Sequence, residues 1–221
     1  MNILLLGATG RTGRLVLAEA LAQGHTVHAL VRRPARLQAV ANQYGGQLRL
    51  FEGQPTDGAV LAQAMAGCQG VVGVLNVSRT SDFPWAPLRT PPTLLSDTMR
   101  QVITLGQQRA IQKVVVCSAW GVDDTKNHLP GWFRWFINNS NIGVAYTDHE
   151  RQEQLLAQSG LPYTIVRPVG LTNGKRQQQV QVSYSNQPKP RLTINRLTVA
   201  RFLLSALTDD ALTGRAPVIS R

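Results

Sequence analysis

The fold is decided by one stretch near the start of the chain, Asn2-Ile3-Leu4-Leu5-Leu6-Gly7-Ala8-Thr9-Gly10-Arg11-Thr12-Gly13. Its first five residues form an apolar run of strand length, and its three glycines follow at a spacing that suits a tight turn. Apolar residues then recur at helical spacing from Leu15 until Gly24 ends the pattern. The order of strand, glycine turn and helix predicts the beginning of a βαβ unit.

Strand and helix patterns alternate through the rest of the first half of the chain. We predict strands at 26–31, 47–51, 70–75 and 113–117, and helices at 37–44, 57–66 and 93–109. Strands separated by helices of this length need crossover connections, which place parallel strands in one sheet with helices on both faces. We therefore expect an α/β fold with a single Rossmann-like, doubly wound parallel sheet, formed by one domain over residues 1–221.

The second half of the chain is less regular. The tetrapeptide Thr147-Asp148-His149-Glu150 matches a capping box and predicts the start of a helix that ends at Ser159-Gly160. We also predict a strand at 163–166, a hairpin formed by 180–184 and 191–194 around 186–190, a helix at 196–208 and a last strand at 216–219. Insertions on the ligand side are expected near 79–92, 120–146 and 170–195.

The composition excludes several classes of protein. The chain is 43% hydrophobic and 16% charged, so it can bury a core and is not expected to be disordered. We find no apolar run long enough for a membrane span and no basic leader of the kind that precedes a signal sequence. Cys68 and Cys117 have neither pairing nor metal-ligand spacing. We therefore expect a cytoplasmic protein with no metal and no membrane partner.

The formal net charge of +11 is unevenly distributed. Residues 1–51 carry a net charge of +5, residues 154–208 carry +7, and the stretch between them is near neutral. A basic surface attracts nucleic acid, acidic lipid or a polyanionic small molecule. The chain lacks a run of five or six consecutive like charges and therefore a disordered basic tail. Residues 154–208 also lack a recognisable nucleic-acid-binding motif and interleaved aromatic residues, so nucleic acid is not expected as a partner. We assign the second excess, including Lys175 and Arg176, to attraction of an anionic substrate.

The glycine turn has the pattern of a dinucleotide site. Gly7 suits the tight turn, Gly10 lets backbone N–H groups approach a pyrophosphate, and Gly13 lets the helix pack closely on the strand. The alternative is a structural turn without a ligand. At the end of the second strand, where NAD sites place an acid, the sequence has Arg32, Arg33 and Arg36 instead. Three guanidinium groups favour a 2′-phosphate and therefore NADP(H), although solvated arginines are the competing interpretation.

Four motifs together resemble a known family. Gly7–Gly13, Val31-Arg32-Arg33, Cys117-Ser118-Ala119 and the segment from Ser159 to Pro168 look like an atypical short-chain dehydrogenase/reductase of the NAD(P)-binding, NmrA-like group. Asp148-His149-x-Arg151, with Ser118, resembles more narrowly the biliverdin-IXβ reductase (flavin reductase) family. Two positions depart from the family pattern, at Gln54-Pro55 and at Asn76-Val77.

The resemblance implies an NADPH-dependent reductase that acts on flavins or linear tetrapyrroles, and it implies the site residues. Ser118 and His149 are the predicted catalytic residues, the first beside the nicotinamide and the second near the substrate mouth. The predicted cofactor-binding residues are Gly7, Thr9, Gly10, Arg11, Thr12, Gly13, Arg32, Arg33, Arg36, Ser78, Arg79, Cys117, Pro168, Val169, Gly170 and Leu171. Some proteins of this group are non-catalytic NADP-sensing regulators or assembly factors, which is the alternative function.

The catalytic chemistry is constrained by a missing pair. Conventional members of the superfamily use Tyr-x-x-x-Lys as proton donor, but here Glu150 follows Tyr146 and Arg167 follows Tyr163 at that spacing. The expected acceptor is therefore planar and conjugated, such as FMN, a biliverdin-type tetrapyrrole or a quinone, because it delocalises the incoming hydride. We expect His149 to be neutral, because it lies near a predicted helix N-terminus, where a positive charge is unfavourable. Its expected role is that of a hydrogen-bond partner for the substrate, and the alternative is an ordinary capping or surface histidine.

The aromatic residues mark the expected substrate side. Eight of the 13 Phe, Trp and Tyr residues lie between Phe83 and Tyr146, within two of the predicted insertions. These insertions follow strands whose carboxyl ends form the ligand-binding edge of an open α/β sheet. A planar, apolar acceptor fits this composition. The alternative is that the segment 132–137 is an amphipathic helix packed on the core.

Overall fold

The computed structural model describes residues 1–174 and 176–221. Its strands are β1 (Asn2–Leu6), β2 (Thr26–Val31), β3 (Leu48–Glu52), β4 (Gly70–Gly73), β5 (Lys113–Cys117), β6 (Tyr163–Pro168), β7 (Gly170–Thr172), β8 (Gln181–Ser183), β9 (Thr193–Asn195) and β10 (Val218–Ser220). Its α-helices are α1 (Arg11–Ala22), α2 (Gln38–Tyr44), α3 (Gly58–Met65), α4 (Leu94–Gln107), α5 (Gly131–Asn138), α6 (Ile142–Ala157) and α7 (Arg196–Ser205). Short 3₁₀ turns include Pro34–Arg36 and Asp123–His128.

The main sheet has the strand order β3-β2-β1-β4-β5-β6-β10-β8. All of its neighbouring strands run parallel except β8, which is antiparallel to β10. Strands β1 to β3 are added in one direction across the sheet, and β4 to β6 are added in the other. The order reverses between β1 and β4, which lie side by side with Leu6 opposite Gly73. Ligands of open α/β sheets bind at such a switch point, outside the carboxyl ends of the strands. The predicted Rossmann-like fold is confirmed.

Helices cover both faces of the sheet because successive strand residues point to opposite sides. Leu5 is buried on the face that packs α1 and α7, together with Val16 and Leu203. Leu4 is buried on the opposite face with Met99 of α4 and Leu156 of α6. Each fully buried leucine side chain contributes about 2 kcal/mol of hydrophobic stabilisation, so both layers hold the strand ends in place.

The prediction that a helix begins at the capping box was wrong. Helix α6 begins at Ile142, so Thr147, Asp148 and His149 lie within it. The Asp148 carboxylate instead accepts hydrogen bonds at the start of α4, from the backbone N–H groups of Leu95 at 2.7 Å and Ser96 at 3.2 Å. Asp148 therefore caps α4, which is distant in sequence, and does not cap the helix in which it lies.

The predicted hairpin was also wrong. β8 pairs antiparallel with β10, whereas β9 pairs parallel with β7 in the register Gly170↔Thr193. A local turn does form, because Tyr184 and Gln187 exchange backbone hydrogen bonds, but its two flanks enter different sheets. Both flanking segments find long-range partners that satisfy their backbone groups. The other predicted elements are present, with ends shifted by a few residues.

Candidate active site

The glycine turn lies at the switch point between β1 and β4. Gly7 has a φ of +93°, and a Cβ there would lie 2.8 Å from the carbonyl oxygen of Val74, so only glycine fits. The Gly10 N–H donates to the Gly7 carbonyl at 3.0 Å and closes the turn. A Cβ on Gly13 would overlap that same Gly7 carbonyl. The turn therefore needs its glycines for backbone approach, as the sequence pattern indicates.

The N-terminus of α1 opens directly above this turn. Its first backbone N–H groups, those of Arg11, Thr12 and Gly13, have no acceptor within the helix. Gly10 at the N-cap supplies no side-chain acceptor, and the first turn contains no acidic residue. Unpaired N–H groups and the positive end of the helix dipole suit an anion. The arrangement fits the pyrophosphate of a dinucleotide.

Three arginines surround the end of β2. All three are exposed: Arg32 and Arg33 precede the 3₁₀ turn Pro34–Arg36, and Arg36 is its last residue. Glu52 at the end of β3 lies opposite Val31, but within the described residues none of the three arginines forms an ion pair with it. Free guanidinium groups at this position can bind the 2′-phosphate of NADP(H).

The loop from Arg79 to Pro92 folds back beside the glycine turn. The Ser78 N–H donates to Thr90 Oγ1 at 2.8 Å, and Arg79 forms a β-bridge with Leu88. Asp82 at the tip accepts two hydrogen bonds from the Arg11 guanidinium, at 2.9 and 3.2 Å. Both side chains are exposed, so this pair contributes little stability. Arg11 therefore meets a carboxylate of its own chain where we predicted a phosphate contact.

Ser118 follows directly after the end of β5 and is buried. Its backbone N–H donates to the Val166 carbonyl at 2.7 Å, which ties it to β6. Its hydroxyl oxygen is buried and has no hydrogen-bond partner of good geometry in the described part of the chain. Burial raises the pKa of the neighbouring Cys117 to about 12, so that thiol stays protonated. An unpartnered buried hydroxyl is a ready donor or acceptor for a ligand.

His149 is buried inside α6, with 5% of its surface exposed. Burial lowers its pKa to about 4, against smaller opposing effects of Gln152 and Asp148. The ring is therefore neutral near pH 7, but desolvation is the cause, since α6 begins seven residues earlier at Ile142. Its Nδ1 has no hydrogen-bond partner among the described residues. The surface or capping interpretation of this histidine was wrong.

A buried ion cluster that the sequence analysis missed lies beside Ser118. Arg167 of β6 is 4% exposed and donates through Nε to both carboxylate oxygens of Glu153, at 3.2 and 3.1 Å. Its Nη1 binds Asp124, and Asp123 lies 3.5 Å from Nη2. The available signals were Arg167 directly before Pro168 and Glu153 one helical turn after His149.

The segment after β6 closes the expected nicotinamide side. The backbone N–H of Trp120 donates to the Pro168 carbonyl at 3.0 Å, and the backbone N–H of Val169 donates to the Ile219 carbonyl at 3.2 Å. The backbone N–H of Gly170 donates to the Leu192 carbonyl at 3.0 Å, and Leu171 lies within β7. These bonds hold the segment Pro168–Leu171 beside the end of β5, next to Cys117 and Ser118.

A family model for NAD(P)H-binding proteins matches residues 7–210, which is most of the chain. The chain belongs to the NAD(P)H-binding family. Its predicted membership of an NAD(P)-binding group is thereby confirmed, and the glycine turn at the switch point fits a dinucleotide.

Named relatives of this NAD(P)H-binding chain include two reductases. Reductase pytE of Aspergillus terreus is 26% identical over 99% of this chain and 97% of its own length. Sanguinarine reductase of Eschscholzia californica is 27% identical over 98% of this chain and 87% of its own length. Photosystem II assembly factor Ycf39 of Trieres chinensis is 26% identical, and the match spans 85% of this chain but only 51% of that protein.

Solved structures share the fold. ChuY of Escherichia coli O157:H7, described as an anaerobillin reductase, superposes with a TM-score of 0.78 at 22% identity, covering 100% of this chain and 97% of its own. A short-chain dehydrogenase/reductase of Veillonella parvula in complex with NADP has a TM-score of 0.80 at 16% identity, covering 100% and 94%. At these identities the likeness shows the architecture alone.

Two groups of aromatic residues lie after β4 and β5 in this NAD(P)H-binding chain. Trp120 is buried, its Nε1 has no partner among the described residues, and its carbonyl accepts a 3.3 Å hydrogen bond from the Tyr146 hydroxyl. The second group lies at the surface, where Trp85 contacts Phe83 and packs edge-on against Phe136 of α5 at 5.7 Å between ring centroids. Four exposed aromatic side chains belong to this group: Phe83, Trp85, Trp132 and Trp135.

Two grooves flank α6. One of about 330 Å³ lies between α5 and α6 and is lined by Lys126, Tyr146 and Glu150, among others. The other, of about 410 Å³, lies over β6, β8 and β10 and reaches Glu153 and Arg167. In the part of the chain that the structure describes, no cluster of His, Cys, Asp or Glu has a metal-binding arrangement. Within the same residues, no helix is long and apolar enough to cross a membrane.

Proposed function

We propose that the protein is an NADPH-dependent reductase that transfers hydride to a planar conjugated acceptor, either a flavin such as FMN or a biliverdin-type linear tetrapyrrole. The observation that carries this proposal is the pair of buried side-chain atoms without a partner in the described residues, Ser118 Oγ and His149 Nδ1, in a chain that lacks the Tyr-x-x-x-Lys proton donor. Burial lowers the pKa of His149 to about 4, so near pH 7 its imidazole is neutral and is only a weak acid. An acceptor that spreads the incoming charge over a conjugated system suits a site of this kind.

The proposed cofactor contacts follow the glycine turn and the strand ends. Backbone N–H groups of Thr9, Arg11, Thr12 and Gly13, with the Arg11 side chain, hold the pyrophosphate, while Gly10, whose N–H donates to the Gly7 carbonyl, keeps the turn closed. The 2′-phosphate binds Arg32, Arg33 and Arg36, which gives the preference for NADPH over NADH. Ser78 and Arg79 contact the adenosine-to-ribose side, and the nicotinamide lies against Cys117, Pro168, Val169, Gly170 and Leu171. Bound NADPH supplies the hydride.

The chain's own catalytic residues position the acceptor. Ser118 Oγ and His149 Nδ1 are buried and unpartnered in the described residues, so both can form hydrogen bonds to bound ligands. Trp120 offers a further unpartnered N–H and an aromatic surface at the same strand end. Holding two planar rings in contact raises their effective concentration, which is the main source of catalysis here.

The relatives support a reductase of this class. Two of them are named as reductases and match nearly the whole length of this chain, and one structural neighbour is described as an anaerobillin reductase. We also propose a cytoplasmic location, because Cys68 and Cys117 are both free thiols.

The test is NADPH oxidation by the purified protein with FMN or biliverdin. We expect turnover with at least one of them and a rate lowered by about tenfold or more in Ser118→Ala. Tight NADPH binding without turnover of flavins, bilins or quinones would contradict the proposal.

The basic second half gives a further test of the acceptor's charge. Arg176 is exposed, whereas Lys175 lies outside the described residues. If the excess positive charge attracts an anionic flavin or bilin, replacing Lys175 and Arg176 with neutral residues raises the acceptor KM with little change in kcat. An unchanged KM at low salt would remove this role.

A non-catalytic NADP-sensing regulator or assembly factor is the second candidate. The four exposed aromatic side chains Phe83, Trp85, Trp132 and Trp135 favour it, as does the partial likeness to Ycf39. This function predicts a protein partner that is recovered with NADP⁺ but not with NADPH, or the reverse.

A further inference from the structure

Helices α1 and α7 lie side by side and begin at the same edge of the sheet. α1 follows β1 through the glycine turn, so it begins at the carboxyl ends of the strands. α7 follows β9, whose last residue, Asn195, pairs with Thr172 of β7 just beyond the carboxyl end of β6. Past the other end of α7, a Cβ on Gly70 would lie 2.9 Å from Leu207, which places that end at the start of β4. The two helices therefore run parallel, with both N-termini on the ligand side.

An ion pair fixes the relative height of these two helices. Arg201 of α7 donates through Nε to a carboxylate oxygen of Glu19 of α1 at 2.8 Å. Glu19 lies eight residues after Arg11, the first residue of α1. Arg201 lies five residues after Arg196, the first residue of α7. At a rise of about 1.5 Å per residue, the two first residues differ in height by about 5 Å, which is within the reach of an arginine side chain.

The Arg196 side chain is partly buried and is held by a neutral partner. Its Nη1 donates to Asn173 Oδ1 at 2.6 Å. Asn173 directly follows β7, so this hydrogen bond holds the guanidinium beside the segment Pro168–Leu171, where the nicotinamide is proposed to bind. Within the described residues, Arg196 forms no ion pair. Its charge and its remaining N–H groups are therefore free to bind an anion.

A carboxylate of the loop after β4 lies near the same two helix ends. Asp82 accepts two hydrogen bonds from the Arg11 guanidinium, at 2.9 and 3.2 Å. Burial lowers the pKa of Arg196, the Arg11 charge lowers it further, and the Asp82 charge raises it. One carboxylate cannot neutralise two guanidinium groups, whereas a pyrophosphate, with a charge on each phosphate, can. The charges here therefore leave an excess that suits a dinucleotide.

The two arginines of α7 serve different purposes. Arg201 is already neutralised by Glu19 and also donates to Gln177, so it joins elements of the fold. Arg196 has only the neutral Asn173 as its hydrogen-bond partner among the described residues. A guanidinium that is positioned but not neutralised is suited to phosphate recognition.

We propose that Arg196 binds the nicotinamide-side phosphate of the NADP(H) pyrophosphate and that Asn173 positions its guanidinium. The inference rests on the proposed cofactor contacts and not on the identity of the acceptor. When the nucleotide binds, its pyrophosphate replaces the Asp82 carboxylate as the anion that faces Arg11 and Arg196. Arg196 takes no part in hydride or proton transfer. Part of the positive charge of residues 154–208 is thereby assigned to the cofactor.

The test measures the Kd of three nucleotides for Arg196→Ala by isothermal titration calorimetry. NADPH and NADH contain the nicotinamide-side phosphate, whereas adenosine 2′,5′-bisphosphate lacks it. We expect the Kd of NADPH and of NADH to rise by the same factor, about tenfold, because both lose one charge-assisted contact. The Kd of the bisphosphate should stay within about twofold. Arg32→Ala should give a different pattern, with weaker binding of NADPH and the bisphosphate and an unchanged Kd of NADH.

Arg191→Ala is the matched control, because Arg191 is an exposed arginine just before β9. It should leave all three Kd values within about twofold of those of the unaltered protein. An unchanged Kd of NADPH in Arg196→Ala overturns the proposal. A loss confined to NADPH, or an equal loss with the bisphosphate, overturns it too, because neither pattern belongs to the nicotinamide-side phosphate.

Asn173→Ala gives a second measurement that keeps the charge of the site. The Arg196 guanidinium loses the partner that holds it, so we expect the Kd of NADPH and of NADH to rise by about threefold, with that of the bisphosphate unchanged. Unchanged Kd values for all three nucleotides would overturn the positioning role of Asn173. If the protein binds NADPH but reduces no acceptor, the proposed reductase function fails, and the binding pattern still decides the role of Arg196.

Discussion

The Asp148 carboxylate caps α4 from the neighbouring helix α6: its Oδ2 accepts a hydrogen bond from the Leu95 backbone N–H at 2.7 Å. Its other oxygen accepts from the Ser96 hydroxyl at 2.6 Å, and Asp148 is fully buried. Because His149 follows Asp148 directly, this cap fixes the position of α6 and of the histidine it carries. The cap therefore links the stability of the fold to the geometry of the site.

Removing this cap should destabilise the whole fold. We expect Asp148→Ala to lower the free energy of unfolding by about 3 kcal/mol, since several buried donors lose their acceptor. Urea denaturation measures the change. Asp57→Ala is the matched control, because Asp57 caps α3 from an exposed position and its loss costs only about 1 kcal/mol. Equal effects of the two substitutions would contradict a special role for the Asp148 cap.

Cofactor preference should depend on the arginines after β2. In Arg32→Ala we expect the Kd for NADPH to rise by about tenfold or more, since a charge-assisted contact with the 2′-phosphate is lost. The Kd for NADH should stay the same. Nicotinamide fluorescence measures both, and Arg49→Ala, an exposed arginine on β3, is the control. An equal loss of NADH affinity would show that Arg32 does not bind the 2′-phosphate of NADPH.

The Arg11–Asp82 pair should compete with the cofactor. Asp82→Asn removes the carboxylate that engages Arg11 at 2.9 Å, so the guanidinium is free to bind pyrophosphate. Because exposed ion pairs are worth about 0.5 kcal/mol, we expect NADPH affinity to rise by about twofold. The gain should shrink at high salt. Weaker binding in Asp82→Asn would indicate instead that the loop tip itself helps to hold the nucleotide.

The buried His149 should make stability depend on pH. Its pKa falls from 6.5 to about 4 on folding, so the unfolded chain binds more protons between these values. The stabilisation is complete above about pH 6.5 and is lost as the pH falls towards 4, by up to about 3 kcal/mol. His149→Gln should flatten this part of the profile. An equal slope in unaltered and substituted protein would show that His149 does not titrate in this way.

The fold was predictable in its first half because its signals are local. The glycine turn, the apolar runs and the helical spacing each lie within a few residues, and β1, β2 and β5 were placed at their observed ends. The start of α6 was not predictable, because Asp148 has its partners in α4. The pairing of β8 with β10 likewise depends on segments far apart in sequence.

The site was predictable only in part, for the same reason. Ser118 and His149 were predicted from the family resemblance and stay predictions, whereas the ion cluster of Glu153, Arg167 and Asp124 forms only when α6 packs over β6. The burial that sets the pKa of His149 is a property of the packed structure too. The sequence also does not predict that Trp120 is buried whereas Trp132 and Trp135 are exposed.

The central claim is hydride transfer from NADPH to a planar conjugated acceptor. An anaerobic single-turnover experiment with the protein, NADPH and FMN or biliverdin tests it most directly, by following the nicotinamide and acceptor absorbances together. We predict that both decrease with one rate constant and in a one-to-one ratio, and that Ser118→Ala slows both equally. Saturating NADPH binding with no change in the absorbance of either acceptor would contradict the account.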